Sequence, residues 1–267
     1  MPSLNAADLA RELVRPNGLW RDLRVVAATG STNSDLLAGA RSGMAEGAVL
    51  VADVQTAGRG RMGRQWVSPS GTALTFSVLL RPRGVPPSAL GWVPLLAGLA
   101  AASAVRAVAA VDVRLKWPND LLAGPAKLAG VLAESWGDAI VVGLGINVCQ
   151  RAEDLPSPTA TSLLLAAPPG TGVPPRRDRL LVAVLTELAR WYTAWRDQPR
   201  PGDADACGLR AEYLRWCATL GREVTVSLPG GQALAGTAVG VDHAGRLEVQ
   251  TATGLVQVSA GDVVHVR

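Results

Sequence analysis

The pattern of apolar and polar positions predicts mixed α and β structure over roughly the first 220 residues. Short apolar runs rich in Val and Leu have the length of strands, at residues 23–28, 48–55, 72–80, 113–117, 128–135 and 139–148. Helical spacing or longer apolar runs predict helices at residues 5–15, 35–41, 88–110, 180–195 and 204–218. Residues 150–177 are rich in proline and lack periodicity, which predicts a loop.

The pattern changes after residue 221, where only short β runs remain. They occupy residues 224–226, 233–241, 246–251 and 255–259, and turns at 229–231, 243–245 and 253–254 separate them. Strands of this length with glycine turns between them are typical of a small antiparallel barrel. The sequence therefore predicts an α+β protein of two domains, residues 1–220 with a mixed sheet flanked by helices and residues 221–267 with a barrel.

Composition and charge narrow the function classes only a little. The formal charge is +4 and no long Lys/Arg run occurs, so the overall charge does not indicate nucleic-acid binding. Three cysteines lie far apart and only two histidines are present, which argues against a disulfide framework and a Cys/His zinc site.

One stretch, residues 92–111, is apolar enough to resemble a membrane span. Pro94, Gly98 and Arg106 interrupt it, so we expect a buried core helix instead. The N-terminus shows no charged region ahead of an apolar one, so no signal peptide is expected. The expected compartment is the cytoplasm, with no membrane partner.

The most distinctive motif is the segment GRGRMGRQW at residues 58–66, which we call the arginine loop. Its glycines, among them Gly58 and Gly60, allow the backbone to approach a ligand closely. Its guanidinium groups, on Arg59, Arg61 and Arg64, suit carboxylate or phosphate, and Trp66 offers an apolar face. The alternatives are a solvated surface loop and an arginine-rich nucleic-acid contact.

A second motif, Ser31-Thr32-Asn33, follows the first predicted strand and begins a helix. Hydroxyls and free backbone N–H groups at a helix start can bind a polar ligand head. The same residues are also good helix N-caps, and this motif alone favours the plain N-cap.

Three further motifs place polar residues at predicted strand ends. KWPND at 116–120 brings Lys116, Asn119 and Asp120 around a turn. Three interpretations of Asp120 are open, a metal ligand, a proton acceptor and part of an ordinary hairpin. KLAG at 127–130 begins an apolar strand with Lys127, and its Gly130 suggests close approach by another group. GLGIN at 143–147 adds Gly145 and Asn147, although a bulge or tight packing explains its glycines equally well.

Taken in order, these five motifs resemble one family, the biotin–protein ligases. The combination of GRGRxGR with KWPND is the specific part, and the resemblance runs from about residue 29 to residue 267. It implies a class II synthetase-like catalytic domain over residues 1–220 and an SH3-like C-terminal domain over residues 221–267. Only about twenty residues precede the first strand, so the chain looks like the single-function type without a DNA-binding domain.

The resemblance implies a reaction in two steps. Biotin and MgATP form biotinyl-5′-AMP, and a lysine of a biotin carboxyl carrier domain of an acyl-CoA carboxylase then takes the biotin. The implied catalytic residues are Lys127, Asp120, Arg61 and Lys116, with Asp120 as base or Mg²⁺ ligand. The implied ligand-binding residues are Ser31, Thr32, Asn33, Gln55, Gly58, Arg59, Gly60, Arg61, Arg64, Trp66, Lys116, Asn119, Lys127, Gly130, Gly145 and Asn147.

Within these residues the resemblance implies a division of labour. Ser31, Thr32 and Gln55 are expected against biotin, Arg61 and Lys127 near its carboxylate or the adenylate phosphate, and Asn147 against adenine. The arginine loop is expected to act as a lid that orders around the bound ligand.

The nearest alternative is a lipoate or octanoate ligase, which performs the same adenylation. A biotin-responsive nucleic-acid-binding protein is a more distant alternative, and the absence of further basic and aromatic segments disfavours it. We expect no nucleic-acid partner, and a monomer or a weak homodimer.

Overall fold

The computed structural model describes residues 4–168, 174–228, 232–259 and 261–266, and its main feature is a seven-stranded mixed sheet. The strands run in the order β1-β2-β3-β7-β6-β5-β4; β1 and β2 are parallel and every other neighbouring pair is antiparallel. Their bounds are β1 Asp22–Thr29, β2 Ala48–Gln55, β3 Ala73–Leu80, β4 Val113–Lys116, β5 Asp120–Ala123, β6 Ala126–Trp136 and β7 Ala139–Asn147. The helices are α1 Ala6–Leu13, α2 Thr32–Arg41, α3 Trp92–Ala109, α4 Leu163–Ala166, α5 Arg177–Arg196 and α6 Leu209–Trp216.

Helices cover the two faces of this sheet unequally, because successive strand residues point to opposite faces. On one face α2 packs alone, and Leu36 joins Leu50, Leu79 and Val141 in a small buried cluster. On the other face the strand residues of opposite parity join the main core with α1, α3, α5 and α6. Since α2 is only ten residues long, it leaves part of its face of the sheet for another use.

Helix α3 is the apolar stretch that resembled a membrane span. It is long and apolar enough to cross a membrane, but most of its residues are buried inside the protein. It packs against α5 and under β4 and β6. The predicted core helix is therefore what the structure contains.

The C-terminal residues form a separate antiparallel sheet of five strands in the order β11-β10-β9-β8-β12. Its strands are β8 Glu223–Ser227, β9 Ala233–Val241, β10 Leu247–Thr251, β11 Gly254–Val258 and β12 Asp262–His265. Two tryptophans outside this C-terminal sheet donate hydrogen bonds to the turn between β9 and β10. Trp92 Nε1 donates to the His243 carbonyl at 2.8 Å, and Trp117 Nε1 donates to the Gly245 carbonyl at 3.1 Å.

The predicted fold class, a mixed sheet flanked by helices with a small C-terminal β domain, is confirmed. The prediction missed two short strands, β5 and β12, and the four-residue helix α4 within the predicted loop. Helix α2 begins at Thr32 rather than at residue 35, and α6 is shorter than the predicted 204–218. The predicted turn at 229–231 and part of the predicted loop, 169–173, lie outside the described residues, and the division at residue 220 stays a prediction.

Candidate active site

Two glycines open a trough on the α2 face of the large sheet. Asp120, Gly130, Gly145 and Thr75 stand opposite one another in a row across β5, β6, β7 and β3. Residues that oppose each other in antiparallel pairs share a face, so the two glycines leave a gap between Asp120 and Thr75. The indole of Trp66 fills part of it, because a Cβ added at Gly145 would lie only 2.3 Å from that ring.

The trough is the floor of a cleft whose enclosed volume is about 180 Å³ and which widens toward solvent. Most of the predicted site residues line it: Ser31, Thr32, Asn33, Gln55, Arg59, Gly60, Arg61, Arg64, Trp66, Asn119, Asp120, Lys127, Gly130, Gly145 and Asn147. The structure thus brings together residues from five separate motifs.

Two of the predicted site residues, Gly58 and Lys116, are not part of this lining. Gly58 packs at the base of the arginine loop, where an added Cβ would lie 2.3 Å from the Trp66 carbonyl oxygen. Lys116, on β4, opposes Asp120 and lies one strand further from Gly130. Burial lowers the pKa of His265 on β12, and the charge of Lys116 adds to that effect.

One end of the cleft is a buried network of neutral polar groups at the start of α2. The Ser31 hydroxyl caps the helix, as predicted, by accepting from Ser34 N. Gln55 Oε1 accepts from Thr32 N at 2.8 Å, and the Thr32 hydroxyl lies 2.6 Å from that of Ser77. Ser77 donates to Asn33 Oδ1 at 2.6 Å. This end offers amide and hydroxyl groups to a polar, uncharged ligand head.

The arginine loop forms an irregular hairpin over the cleft. Arg59 and Gln65 form a bridge, and Gly60 N donates to the Arg64 carbonyl at 2.7 Å. Met62 sits at the tip with φ +55°, in the left-handed region that a non-glycine residue rarely adopts. The loop is therefore closed on the sheet, and whether ligand binding orders it stays a prediction.

Each arginine of the loop has a different anchor. Arg59 forms an ion pair with Glu134 of β6, and Arg64 pairs with Asp262 of β12 at 2.8 Å. Arg61 reaches the Asn119 Oδ1 at 3.0 Å and the Gly261 carbonyl at 3.1 Å. Burial lowers the pKa of the Arg61 guanidinium, while Asp262 and Asp120 act in the opposite direction. Three cations thus converge on one side of the cleft.

Lys127 and Asp120 form the chemical centre at the other end of the trough. Lys127 Nζ lies 2.6 Å from Asp120 Oδ1, but the approach lacks hydrogen-bond geometry, so the contact is mainly one of opposite charges. The lysine side chain passes over Gly130, where an added Cβ would lie 3.4 Å from Nζ. Lys127 is 36% exposed and Asp120 is 16% exposed, so both can meet a ligand that enters the cleft.

Asn119 and Asn147 support the walls of the cleft through their amides. Asn119 donates to the Val131 carbonyl at 3.1 Å and accepts from Arg61. Asn147 donates to the Thr161 carbonyl at 2.9 Å and accepts from Gln150 at 2.9 Å. The assignment of Asn147 to adenine stays a prediction, and in this structure both ends of its amide are held by the protein.

The sequence analysis missed three parts of the site. Ser77 and Glu134 join the polar end to the arginine loop, and a wall formed by residues 156–160 closes the cleft beside Lys127. Lys127 N donates to the Thr159 carbonyl and its own carbonyl accepts from Thr161 N, both at 2.8 Å. A polar residue facing inward from an apolar strand, as at Ser77, was the available signal.

Metal ligands are sparse over the described part of the chain. No group of three or more His, Cys, Asp or Glu side chains is placed to hold a metal ion among the described residues. Asp120, the predicted Mg²⁺ ligand, offers a single carboxylate that already faces Lys127. A single carboxylate suits Mg²⁺ that arrives on the phosphates of a nucleotide, since such ions keep several water and phosphate ligands.

Fold and site together match one class of enzymes. Residues 26–148 match the Biotin/lipoate A/B protein ligase family, and residues 219–266 match the Biotin protein ligase C terminal domain. These two ranges contain both sheets, apart from the first half of β1, and most of the lining of the cleft.

Individual relatives narrow the class further. The chain is 44% identical over 272 residues to the biotin–[acetyl-CoA-carboxylase] ligase of Mycobacterium tuberculosis, covering 100% of this chain and 97% of that protein. It is 31% identical to the bifunctional ligase/repressor BirA of Bacillus subtilis, covering 96% of this chain and 76% of that protein. The structure of the Aquifex aeolicus biotin protein ligase with biotin and ATP aligns with a TM-score of 0.77 at 29% identity, covering 93% of this chain and 100% of that one. The chain belongs to the biotin protein ligase family, and the lipoate ligase alternative is not favoured.

Proposed function

We propose that this chain activates biotin with MgATP and transfers it to a lysine of a biotin carboxyl carrier domain. The observation that carries the proposal is the cleft itself, which joins a buried neutral polar end to an end lined by the cationic side chains of Arg61, Arg64 and Lys127. Biotin has matching parts, a polar ureido group, an apolar ring system and chain, and a carboxylate.

The polar end suits the ureido group. Thr32 and Gln55 supply a hydroxyl and an amide there, while Phe76, Leu132 and Leu144 line the apolar part of the cleft. These groups already bond to one another and to Ser77, so an apolar ligand head gains nothing from them, whereas a polar head can form further hydrogen bonds. Lipoate and octanoate have no hydrogen-bonding head for this end.

The first step brings two anions together. A biotin carboxylate oxygen attacks the α-phosphorus of ATP, an O–P bond forms, and the bond to pyrophosphate breaks. Arg61, Arg64 and Lys127 lower the repulsion between these reagents and stabilise the charge on the α-phosphate as it reacts. Trp66 lines the same cleft, and its buried Nε1 is a donor without a hydrogen-bond partner among the described residues.

The second step needs a neutral amine. The acceptor lysine attacks the acyl carbon, an amide bond forms, and AMP leaves with the electron pair of the broken acyl–phosphate bond. Asp120 is the carboxylate beside Lys127 that can accept the proton from the amine. Lys127 then donates to the departing phosphate oxygen.

The finer assignments belong to the same proposal. Mg²⁺ enters as part of MgATP, the acceptor is a carrier domain of an acyl-CoA carboxylase, and the reaction runs in the cytoplasm. The first relative's name supports the acceptor class, since that protein acts on acetyl-CoA carboxylase.

Isotope exchange between pyrophosphate and ATP tests the proposal most directly. Purified protein with biotin and MgATP is expected to exchange label rapidly, whereas lipoate or octanoate in place of biotin gives only background. Adding a carrier domain is expected to yield a biotinylated lysine visible by mass spectrometry. Exchange that does not depend on biotin would overturn the proposal.

A further inference from the structure

The polar end of the cleft and the arginine loop are joined by a continuous chain of hydrogen bonds. Asn33 sits at the centre of that chain, because its amide oxygen accepts from Ser77 at 2.6 Å and its nitrogen donates to Glu134 Oε2 at 2.9 Å. The other oxygen of Glu134, Oε1, holds Arg59 of the loop. One carboxylate therefore contacts both the base of the biotin site and its cover.

The Thr32 hydroxyl has two possible acceptors, Ser77 Oγ at 2.6 Å and Gln55 Oε1 at 3.1 Å, and Asn33 decides between them. Asn33 Oδ1 cannot donate, so Ser77 gives its proton to Asn33. The 2.6 Å contact between the Thr32 and Ser77 hydroxyls then has Thr32 as its donor. Each donor points from the cleft toward Glu134, and hydrogen bonds arranged head to tail polarise and strengthen one another.

Packing holds the centre of the chain in place. Gly143 lies directly under Asn33, and a Cβ added there would come within 2.2 Å of Asn33 Oδ1. Ser77 is completely buried and Asn33 is 4% exposed, so water does not compete for these bonds. Arg59, by contrast, is 46% exposed, which makes its ion pair the part of the chain that opens most easily.

We propose that Glu134 is a positioning residue that couples filling of the polar end to closure of the arginine loop. A ligand N–H that donates to the Thr32 oxygen strengthens the hydrogen bond that Thr32 donates to Ser77. This strengthening passes through Asn33 to the Glu134–Arg59 pair. The inference rests on the proposed function, in which the biotin ureido group is the ligand at this end.

Two readouts on Glu134→Gln test the coupling. We expect the Kd for biotin, measured by calorimetry without ATP, to rise by about threefold to tenfold, as loss of a partly buried charge-assisted bond implies. We also expect tryptic cleavage in the arginine loop to slow on biotin addition in the unmodified protein and to slow much less in the variant. KM for ATP should change by less than about twofold because Glu134 does not line the cationic end.

Controls separate coupling from simple destabilisation. Glu187→Gln removes another partly exposed Arg–Glu pair, with Arg190 on α5, and is expected to leave both readouts unchanged. Arg59→Gln removes the other partner of the pair, and the double variant should weaken biotin binding no more than either single variant. High salt should raise the Kd of the unmodified protein and leave that of Glu134→Gln nearly constant.

Failure of the coupling and failure of the proposed function give different experimental results. The coupling is overturned if the effects of the two substitutions on biotin affinity are additive. It is also overturned if biotin still protects the loop from trypsin in Glu134→Gln. Neither result affects biotin-dependent exchange of pyrophosphate with ATP, which tests the proposed function. An unmodified protein without biotin-dependent exchange would instead overturn the proposed function. Should Glu134→Gln fold poorly, Ser77→Ala interrupts the same chain and is expected to give the same loss of protection.

Discussion

The two ends of the cleft hold their side chains by different physical means. At the polar end, Thr32, Ser77 and Asn33 are buried and linked by short neutral hydrogen bonds. At the cationic end, Arg64 and Lys127 are partly exposed and held by single carboxylates. A buried neutral network is rigid and selective for shape, whereas exposed ion pairs exchange partners at little cost. The difference suits a protein that must first recognise a molecule and then handle changing charge.

The largest effect is expected at the cationic end. Lys127→Ala removes the cation beside Asp120, and biotin-dependent pyrophosphate exchange should fall by about 10³-fold, the scale for loss of one charge-stabilising donor. Biotin binding measured without ATP should change far less, because the polar end is untouched. Near-normal exchange by this variant would remove Lys127 from the catalytic residues.

Asp120→Ala should separate the two half-reactions. Transfer of biotin from preformed biotinyl-5′-AMP to a carrier domain is expected to slow by about 10²-fold, the lower range for loss of a proton acceptor. Biotin binding should be nearly unchanged, since Asp120 lies at the far end of the trough from Thr75. A rapid-quench measurement of transfer provides the test, and equal losses in adenylation and transfer would contradict a base role.

The polar end should respond to shape rather than to charge. Gly143→Ala places a Cβ within 2.2 Å of Asn33 Oδ1, and the resulting shift should weaken biotin binding by about tenfold, or about 1.4 kcal/mol. Gly30→Ala is the matched control, because its Cβ meets no atom within 4 Å. Calorimetry on both variants decides the question, and equal affinities would show that the network tolerates displacement.

The smallest expected effect is a change in how stability depends on pH, and it comes from His265 on β12, the strand that carries Asp262. Burial, followed by the charges of Lys116 and Arg222, lowers the pKa of His265. An unfolded His binds its proton near pH ~6.5, so stability is complete above that value and falls as pH drops toward the lower folded pKa. Denaturant unfolding of His265→Gln, measured across this window, should show a weaker loss of stability on acidification than the unmodified protein. Identical pH slopes would exclude His265 as the source.

Local chemistry made most of the fold and the site predictable. The cap at Ser31 and the apolar runs of β2 and β3 each depend on neighbours in the chain. The motifs around Lys127 and Gly145 also pointed to residues that the structure places in the cleft lining.

Contacts between distant residues were not predictable in the same way. Glu134 meets Arg59 across 75 positions, and Ser77 meets Thr32 across 45. These pairs depend on the order of strands in the sheet, which no local pattern contains. Strand β5 escaped prediction for a related reason, since four residues after a turn are too few to show alternation.

The contact between Arg61 and the Gly261 carbonyl spans 200 positions of the chain. A protein shortened before residue 261 therefore loses an acceptor for a guanidinium that lines the cleft, although the described lining comes from the first 160 residues. A deletion in the C-terminal sheet is therefore expected to change how Arg61 is held in a cleft that lies on the other sheet.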